Sequence, residues 1–269
     1  MNKTFSYLNN VPVSKMVIDK FENIIRNISV KNIYNYPDEN IIYNILQNFF
    51  GIKQENIYIH HGVDNIISEL FSLYSNKKIW FHHPNYKMLY IHSKNKNLQI
   101  VNNIQDADII YNVYPNGING KAEYFDNTNI IWDLSYTPYF LDSTKLIKFI
   151  NNEYQKGNII LLGASKWLGL PSIRFGVAIG KNINQIKKNK SPYQITGITQ
   201  KIIENMWNIK FLTKHFKIIS DSKKFFESKY KTLPEYNGPI ILFKKPNKFT
   251  KIICGYNRMS VIDKQLIKE

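Results

Sequence analysis

Apolar residues recur at helical spacing over Val17–Ile28 and again over Asp38–Phe50, with Pro37 just before the second segment. Asn65–Tyr74 repeats the pattern after Gly62. Four short apolar runs then stand out: Asp108–Val113, Asn129–Trp132, Asn158–Leu162 and Phe175–Ile179. Each is rich in Ile or Val and bounded by turn residues, which suits strands buried on both faces of a parallel or mixed sheet. A helical pattern over Leu141–Tyr154 lies between two of them, so the alternation predicts an α/β layered domain. Past about Gly180 the spacing predicts helices over Ile183–Lys188 and, as one long element, Gly197–Lys217. Short strand candidates follow at Pro239–Phe243, Lys251–Cys254 and Arg258–Ile262, the texture of a smaller α+β unit. The predicted organisation is an N-terminal arm over 1–34, a large domain over 35–185, and a long helix with an abbreviated small domain over 186–269.

Composition narrows the function classes. With 269 residues and 43% hydrophobic content the chain builds a substantial core, and 14% aromatics exclude a disordered one. No stretch approaches the roughly 18 apolar residues of a membrane span. The first residues carry no signal-peptide core, so a cytoplasmic location is expected. The single cysteine, Cys254, follows Ile252 and Ile253 and reads as a small core residue. The net charge of +16 attracts anions, yet the lysines are scattered within a general Asn/Lys/Ile bias. No nucleic-acid-binding motif accompanies them, so neither nucleic acid nor membrane is the expected partner. His60–His61 and His82–His83 make no ready chelate, because neighbours in a strand face opposite ways, and no metal is expected. A glycine-rich nucleotide loop is absent.

The chemistry gathers where the predicted strands end, which is where ligands bind in open α/β sheets. Asp133 directly follows Asn129–Trp132, and Tyr136 comes three residues later. Ser165 and Lys166 follow Asn158–Leu162, and Arg174 precedes Phe175–Ile179. Separate strand ends thus offer a carboxylate, a phenol, an amine and a guanidinium.

The stretch GASKWLGLPSIRFG resembles the SK-x-x-GL-x-x-x-R-x-G segment of the class I/II, fold-type I aminotransferases that use pyridoxal 5'-phosphate (PLP). It is most similar to the histidinol-phosphate aminotransferase-like group. WDLSY resembles that family's D-E-A-Y at Asp133 and Tyr136, and ENIYIHHGVDNII resembles its E-N-I-x-x-G-N-G-S-D-E at Glu55–Ile57, Gly62 and Asp64. HPNY (Pro84, Tyr86), YPDE (Tyr36–Asp38) and NRMSV (Arg258) complete a set in family order.

The resemblance implies a three-layer α/β/α large domain with a mostly parallel sheet and a reduced small α+β domain. It implies PLP held as a Schiff base on Lys166, whose freed amine then serves as general base. Asp133 pairs with the pyridine nitrogen, and Tyr136 hydrogen-bonds the ring's phenolate oxygen. Arg174, Ser165 and the helix start at Gly62, Val63 and Asp64 hold the phosphate. Tyr86 stacks on the ring and Arg258 binds the substrate carboxylate. Tyr36 reaches the phosphate of a neighbouring subunit in a homodimer. The implied activity is amino transfer between an amino acid and a keto acid or phosphorylated keto substrate. A PLP-dependent decarboxylase or lyase, and a degenerate binding protein without catalysis, are the alternatives.

The sequence departs from the family where P-N-N-P-T-G is usual, reading Pro115-Asn116-Gly117-Ile118-Asn119-Gly120. The second Asn of that motif, a partner of the phenolate oxygen, falls on Gly117, with Asn116 or Asn119 as its nearest replacements. Leu134 stands for the Glu of D-E-A-Y, and Leu8-Asn9-Asn10-Val11-Pro12 keeps only a faint echo of the family's N-E-N-P-Y-G.

Overall fold

The computed structural model describes residues 11–188, 190–230, 232, 237–244, 251–253 and 256–266. Leu8–Asn10 and Cys254 lie outside the described residues.

The chain opens with α1 (Lys15–Arg26), capped by the Ser14 hydroxyl, which accepts from the Val17 N–H. A short α2 (Lys31–Tyr34) leads to α3 (Glu39–Phe50), where the Asp38 carboxylate accepts from Asn40 N–H. Strands and helices then alternate: β1 (Ile57–His60), α4 (Val63–Leu73), β2 (Lys78–Trp80), α5 (Lys87–Asn95), β3 (Gln99–Ile100), β4 (Ile109–Val113) and β5 (Ile130–Asp133). They continue with α6 (Ser143–Gln155), β6 (Ile159–Gly163), the single turn α7 (Ala164–Trp167), β7 (Gly176–Ile179) and α8 (Asn184–Lys187).

These seven strands form one sheet in the order β1-β7-β6-β5-β4-β2-β3. The pairs from β3 through β6 are parallel, and β7 is antiparallel to both β6 and β1. β7 therefore begins at the edge where the other six end. The faces alternate along each strand: Ile110, Trp132 and Ile160 pack into one apolar layer with α1, α3 and α6. Tyr111, Ile131 and Leu161 pack into the other with α4 and α5. This is the fully covered, mostly parallel sheet that the apolar runs predict. The three- and two-residue strands β2 and β3 escape a reading based on apolar runs, and so does β1, which ends on a histidine.

Gly197–Lys217 is not one helix. α9 (Gly197–Met206) and α10 (Ile209–Lys229) are separate. Trp207 leaves helical geometry and is buried, stacking on Trp167 at 5.5 Å, and Asn208 starts the next helix by accepting from Phe211 N–H. A stacked aromatic pair adds about 0.5–1.5 kcal/mol beyond area burial, and Asn is a strong N-cap, so burial and capping together redirect the chain. α9 packs into the α1 and α3 layer. β8 (Ile240–Phe243), β9 (Lys251–Ile253) and β10 (Tyr256–Ser260) form a small antiparallel sheet in the order β8-β10-β9. Ile241, Phe243 and Met259 of that sheet pack on Ile219 and Phe226 of α10. No described helix is long and apolar enough to cross a membrane.

Candidate active site

At the edge where β6 ends and β7 begins lies a cavity of about 290 Å³. Asp133 is the last residue of β5, on the same face as Tyr111. Register pairs Val113 with Asp133, which sets Tyr111 one pleat back on the neighbouring strand. Its hydroxyl donates to Asp133 Oδ2 at 2.8 Å, while the Ser135 N–H donates to Oδ1 at 3.0 Å. Burial pushes the Asp133 carboxyl above the usual carboxylate range, against the hydrogen bonds of Ser135 and Tyr111 and the charge of Lys166. Behind this strand, buried Glu153 of α6 accepts from Trp132 Nε1 at 2.8 Å and from Asn158 Nδ2 at 2.7 Å, clamping the element that carries Asp133.

Lys166 sits in α7, directly beyond β6. Trp167, fully buried, anchors that turn by donating from Nε1 to the Leu134 carbonyl at 3.0 Å. Tyr139 donates its hydroxyl to the Lys166 carbonyl at 2.5 Å. The same hydroxyl lies 3.1 Å from Nε2 of buried His215, whose Nδ1 lies 2.8 Å from the Ser14 hydroxyl. Burial lowers the His215 imidazole to about 3, so a neutral chain of hydrogen bonds ties the cap of α1 to the Lys166 backbone.

Arg174 sits just before β7, in left-handed backbone geometry at φ 46°. Its guanidinium lies against Gly62, where a Cβ would stand 2.6 Å from Nη2. Gly62 thus admits a guanidinium beside the first N–H groups of α4, an anion-binding arrangement. Asp64, on that first turn, meets His92 Nε2 at 3.2 Å. Tyr86 is half-exposed at the cavity wall, and burial with Asp64 beside it pushes its phenol up to about 12.

Tyr136 is buried, with Lys166 Nζ 5.7 Å from its ring centroid and Arg258 donating to its hydroxyl. Burial raises the phenol, but the charges of Lys166 and Arg258 outweigh this and hold it below its ordinary range. Arg258, on β10, brings the small sheet to the cavity. Val63 and Ser165 also line it.

One expected residue stands elsewhere. Asn116 is buried beneath its own turn: Oδ1 accepts from Ile118 N–H at 2.8 Å and Nδ2 donates to the Pro84 carbonyl at 3.2 Å. Its amide holds the loop, and its neighbours Gly117 and Ile118 line the cavity instead. The Asn119 side chain likewise accepts from the Lys121 N–H within the loop. Tyr36 is 75% exposed and stacks on Tyr193 at 4.0 Å, away from the cavity. His61, His82 and His83 lie outside the strands, so the opposite-face geometry expected of the two histidine pairs does not apply to them. Among the described residues no cluster of His, Cys, Asp and Glu could hold a metal ion. The sequence alone does not single out Tyr111 or the Tyr139–His215–Ser14 chain. For Tyr111, the one available signal was its two-residue spacing from Val113 within an apolar run.

The described architecture has close counterparts among solved structures. Histidinol-phosphate aminotransferase of Clostridium acetobutylicum superimposes with a TM-score of 0.74 at 18% identity, covering 95% of this chain and 93% of that one. The Sinorhizobium meliloti histidinol-phosphate aminotransferase, solved in complex with PLP, gives 0.74 at 14% identity over 95% and 84%. The chain has the fold-type I transferase fold. In sequence this fold-type I chain is similar to the histidinol-phosphate aminotransferase of Clostridium novyi, at 24% identity over 96% of this chain and 78% of that protein. It is also similar to an L-serine phosphate decarboxylase of Campylobacter jejuni, at 25% identity over 75% of this chain and 57% of that protein. No protein-family model matches the chain.

Proposed function

We propose that this chain binds PLP through Lys166 and is an aminotransferase, moving an amino group between an amino acid and a keto acid or phosphorylated keto substrate. The observation that carries the reading is the convergence of Asp133, Lys166 and Arg174 on one cavity, from the ends of β5 and β6 and the start of the adjacent β7. The donor set fits the cofactor. The Arg174 guanidinium and the N–H groups at the start of α4 form a cradle for a phosphate, which a side chain on Gly62 would fill. The Asp133 carboxylate suits a pyridine nitrogen, and its buried partners fix its direction.

When bound, PLP supplies an electron-withdrawing ring that stabilises charge developing at the substrate α-carbon. Asp133 holds a proton at the ring nitrogen. Lys166 Nζ takes the α-proton and returns it, oriented by the clamp on its backbone carbonyl. Tyr86 covers the ring and excludes water, and Arg258 orients the substrate carboxylate with its planar fork. Tyr36 belongs to a homodimer interface, where it meets the phosphate held by the neighbouring subunit.

Decarboxylation is the second reading, favoured by the likeness to the L-serine phosphate decarboxylase. The same PLP-loaded protein, given single amino-acid donors including phosphorylated ones, separates the two. Keto product formed with the cofactor left in its amine form supports amino transfer. Carbon dioxide release without a keto-acid requirement supports decarboxylation.

A further inference from the structure

Asn85 lies between Pro84 and Tyr86 in the cavity wall and is 5% exposed. Its Oδ1 accepts from the Tyr86 N–H at 2.8 Å, and only the oxygen end of an amide can meet an N–H. The other end is therefore Nδ2, shielded from water and without an acceptor among the described residues. A buried N–H group left in this state costs about 1–3 kcal/mol unless an occupant of the cavity brings the acceptor.

Sheet order narrows which acceptor. Arg174 stands at the start of β7 and Asn85 follows β2, so the two flank Asp133 of β5 from opposite sides. Asn116 Nδ2 donates to the Pro84 carbonyl at 3.2 Å, which joins the Asn85 segment to the turn bearing Gly117. That wall offers no side-chain donor at Gly117, whereas the Tyr136 hydroxyl accepts from Arg258 and keeps its own hydrogen to donate, so the place of the second donor is the one left open. A pyridine ring held with its nitrogen at Asp133, its 4-carbon at Lys166 and its 5-phosphate at Arg174 would turn its 3-oxygen towards this second wall.

We infer that Asn85 donates a hydrogen bond from Nδ2 to the 3-oxygen of the bound cofactor, an inference that rests on the PLP-binding function proposed above. Asn85 then supplies the donor that Gly117 lacks. The bond tunes the cofactor as well as holding it, because a donor at the 3-oxygen withdraws charge that otherwise retains the proton of the Lys166–PLP linkage.

The test compares wild type with Asn85→Asp, which keeps an oxygen for the Tyr86 N–H but removes the donor, and with Asn85→Leu, which removes both. Three quantities are read: the PLP dissociation constant, the pH midpoint of the absorbance of the lysine-linked cofactor, and the thermal midpoint without cofactor. For Asn85→Asp the dissociation constant is expected to rise about 10-fold or more and the pH midpoint to move up by about one unit. The cofactor-free thermal midpoint is compared in Asn85→Leu, which brings no charge into the buried site, and stays within a few degrees of wild type. Asn85→Leu shows the same loss of affinity, and 3-deoxypyridoxal phosphate binds wild type and both variants equally. Unchanged PLP affinity and pH midpoint in both variants overturns the assignment, as does an equal loss with the 3-deoxy analogue. A cofactor-free thermal midpoint that falls in step with affinity assigns Asn85 a structural role and overturns it too. Wild type that fails to bind PLP at all removes the proposed function and this inference together, whereas normal wild-type binding with unaffected variants removes only the inference.

Discussion

A Cβ placed on Gly117 would stand 2.4 Å from Cε2 of Tyr136. Gly117 does not adopt the positive φ that favours glycine, so the requirement is for space. The tyrosine ring fills the volume that a side chain at 117 would take. The departure from the family's second Asn is thereby tied to the position of Tyr136, and no second donor fits at 117 while that ring stays in place.

Gly117→Ala is expected to destabilise the cofactor-free protein by about 1–3 kcal/mol, the usual range for overpacking. Tyr136→Ala in the same chain should remove most of that penalty, so the two substitutions are non-additive. Urea unfolding of the two single variants and the double variant measures the coupling. Additive losses would show that the close approach has no energetic weight.

Arg174→Ala is expected to weaken PLP binding by about 10- to 100-fold, the range of a charge-assisted hydrogen bond or two. Pyridoxal, which lacks the phosphate, should bind wild type and variant alike. Arg174→Lys should restore part of the loss, since it keeps the charge but not the planar fork. Fluorescence titration with both ligands gives the comparison, and an equal loss for pyridoxal would detach Arg174 from the phosphate.

Burial raises the Asp133 carboxyl pKa in the folded protein, so in the unfolded chain the group loses its proton at lower pH than in the native one. The native state then binds more protons between the unfolded value, about 3.9, and the raised folded value. Stability falls as pH climbs through that interval and stays lower above it. Asp133→Asn removes the penalty. Its cofactor-free thermal midpoint should match wild type in acid, where both side chains are neutral, and exceed it at neutral pH. The same variant should lose catalytic activity with PLP, because the amide does not hold a proton on the ring nitrogen. Thermal melts across pH check the sign; a variant less stable than wild type at neutral pH would contradict it.

Much of the fold was legible because β4, β5, β6 and β7 are short Ile- and Val-rich runs with turn residues at their ends, and burial on both faces leaves that mark. β2 and β3 leave little, since three and two residues with a polar member carry no period. The break at Trp207 is invisible to spacing, because a buried tryptophan and a capping asparagine both fit a helical pattern until the stack on Trp167 is known.

In the site, Ser165, Lys166 and Arg174 were readable because they lie within one short stretch of chain. The Tyr139–Lys166 and Tyr139–His215 contacts join residues 27 and 76 positions apart, and only the fold brings them together. Its place in a motif points Asn116 to the cofactor. Side-chain direction within a turn follows from which backbone groups need partners, and here Ile118 N–H and the Pro84 carbonyl take the amide.

The proposed function stands on Lys166 as the residue that carries the cofactor. Wild type and Lys166→Ala, each incubated with PLP, are compared by absorbance, then reduced with borohydride, digested and mapped by mass spectrometry. The expected result is a shifted absorbance band in wild type alone, with the reduced cofactor on the peptide bearing Lys166. Identical spectra for the two proteins, or the reduced cofactor on a different lysine, would contradict that role.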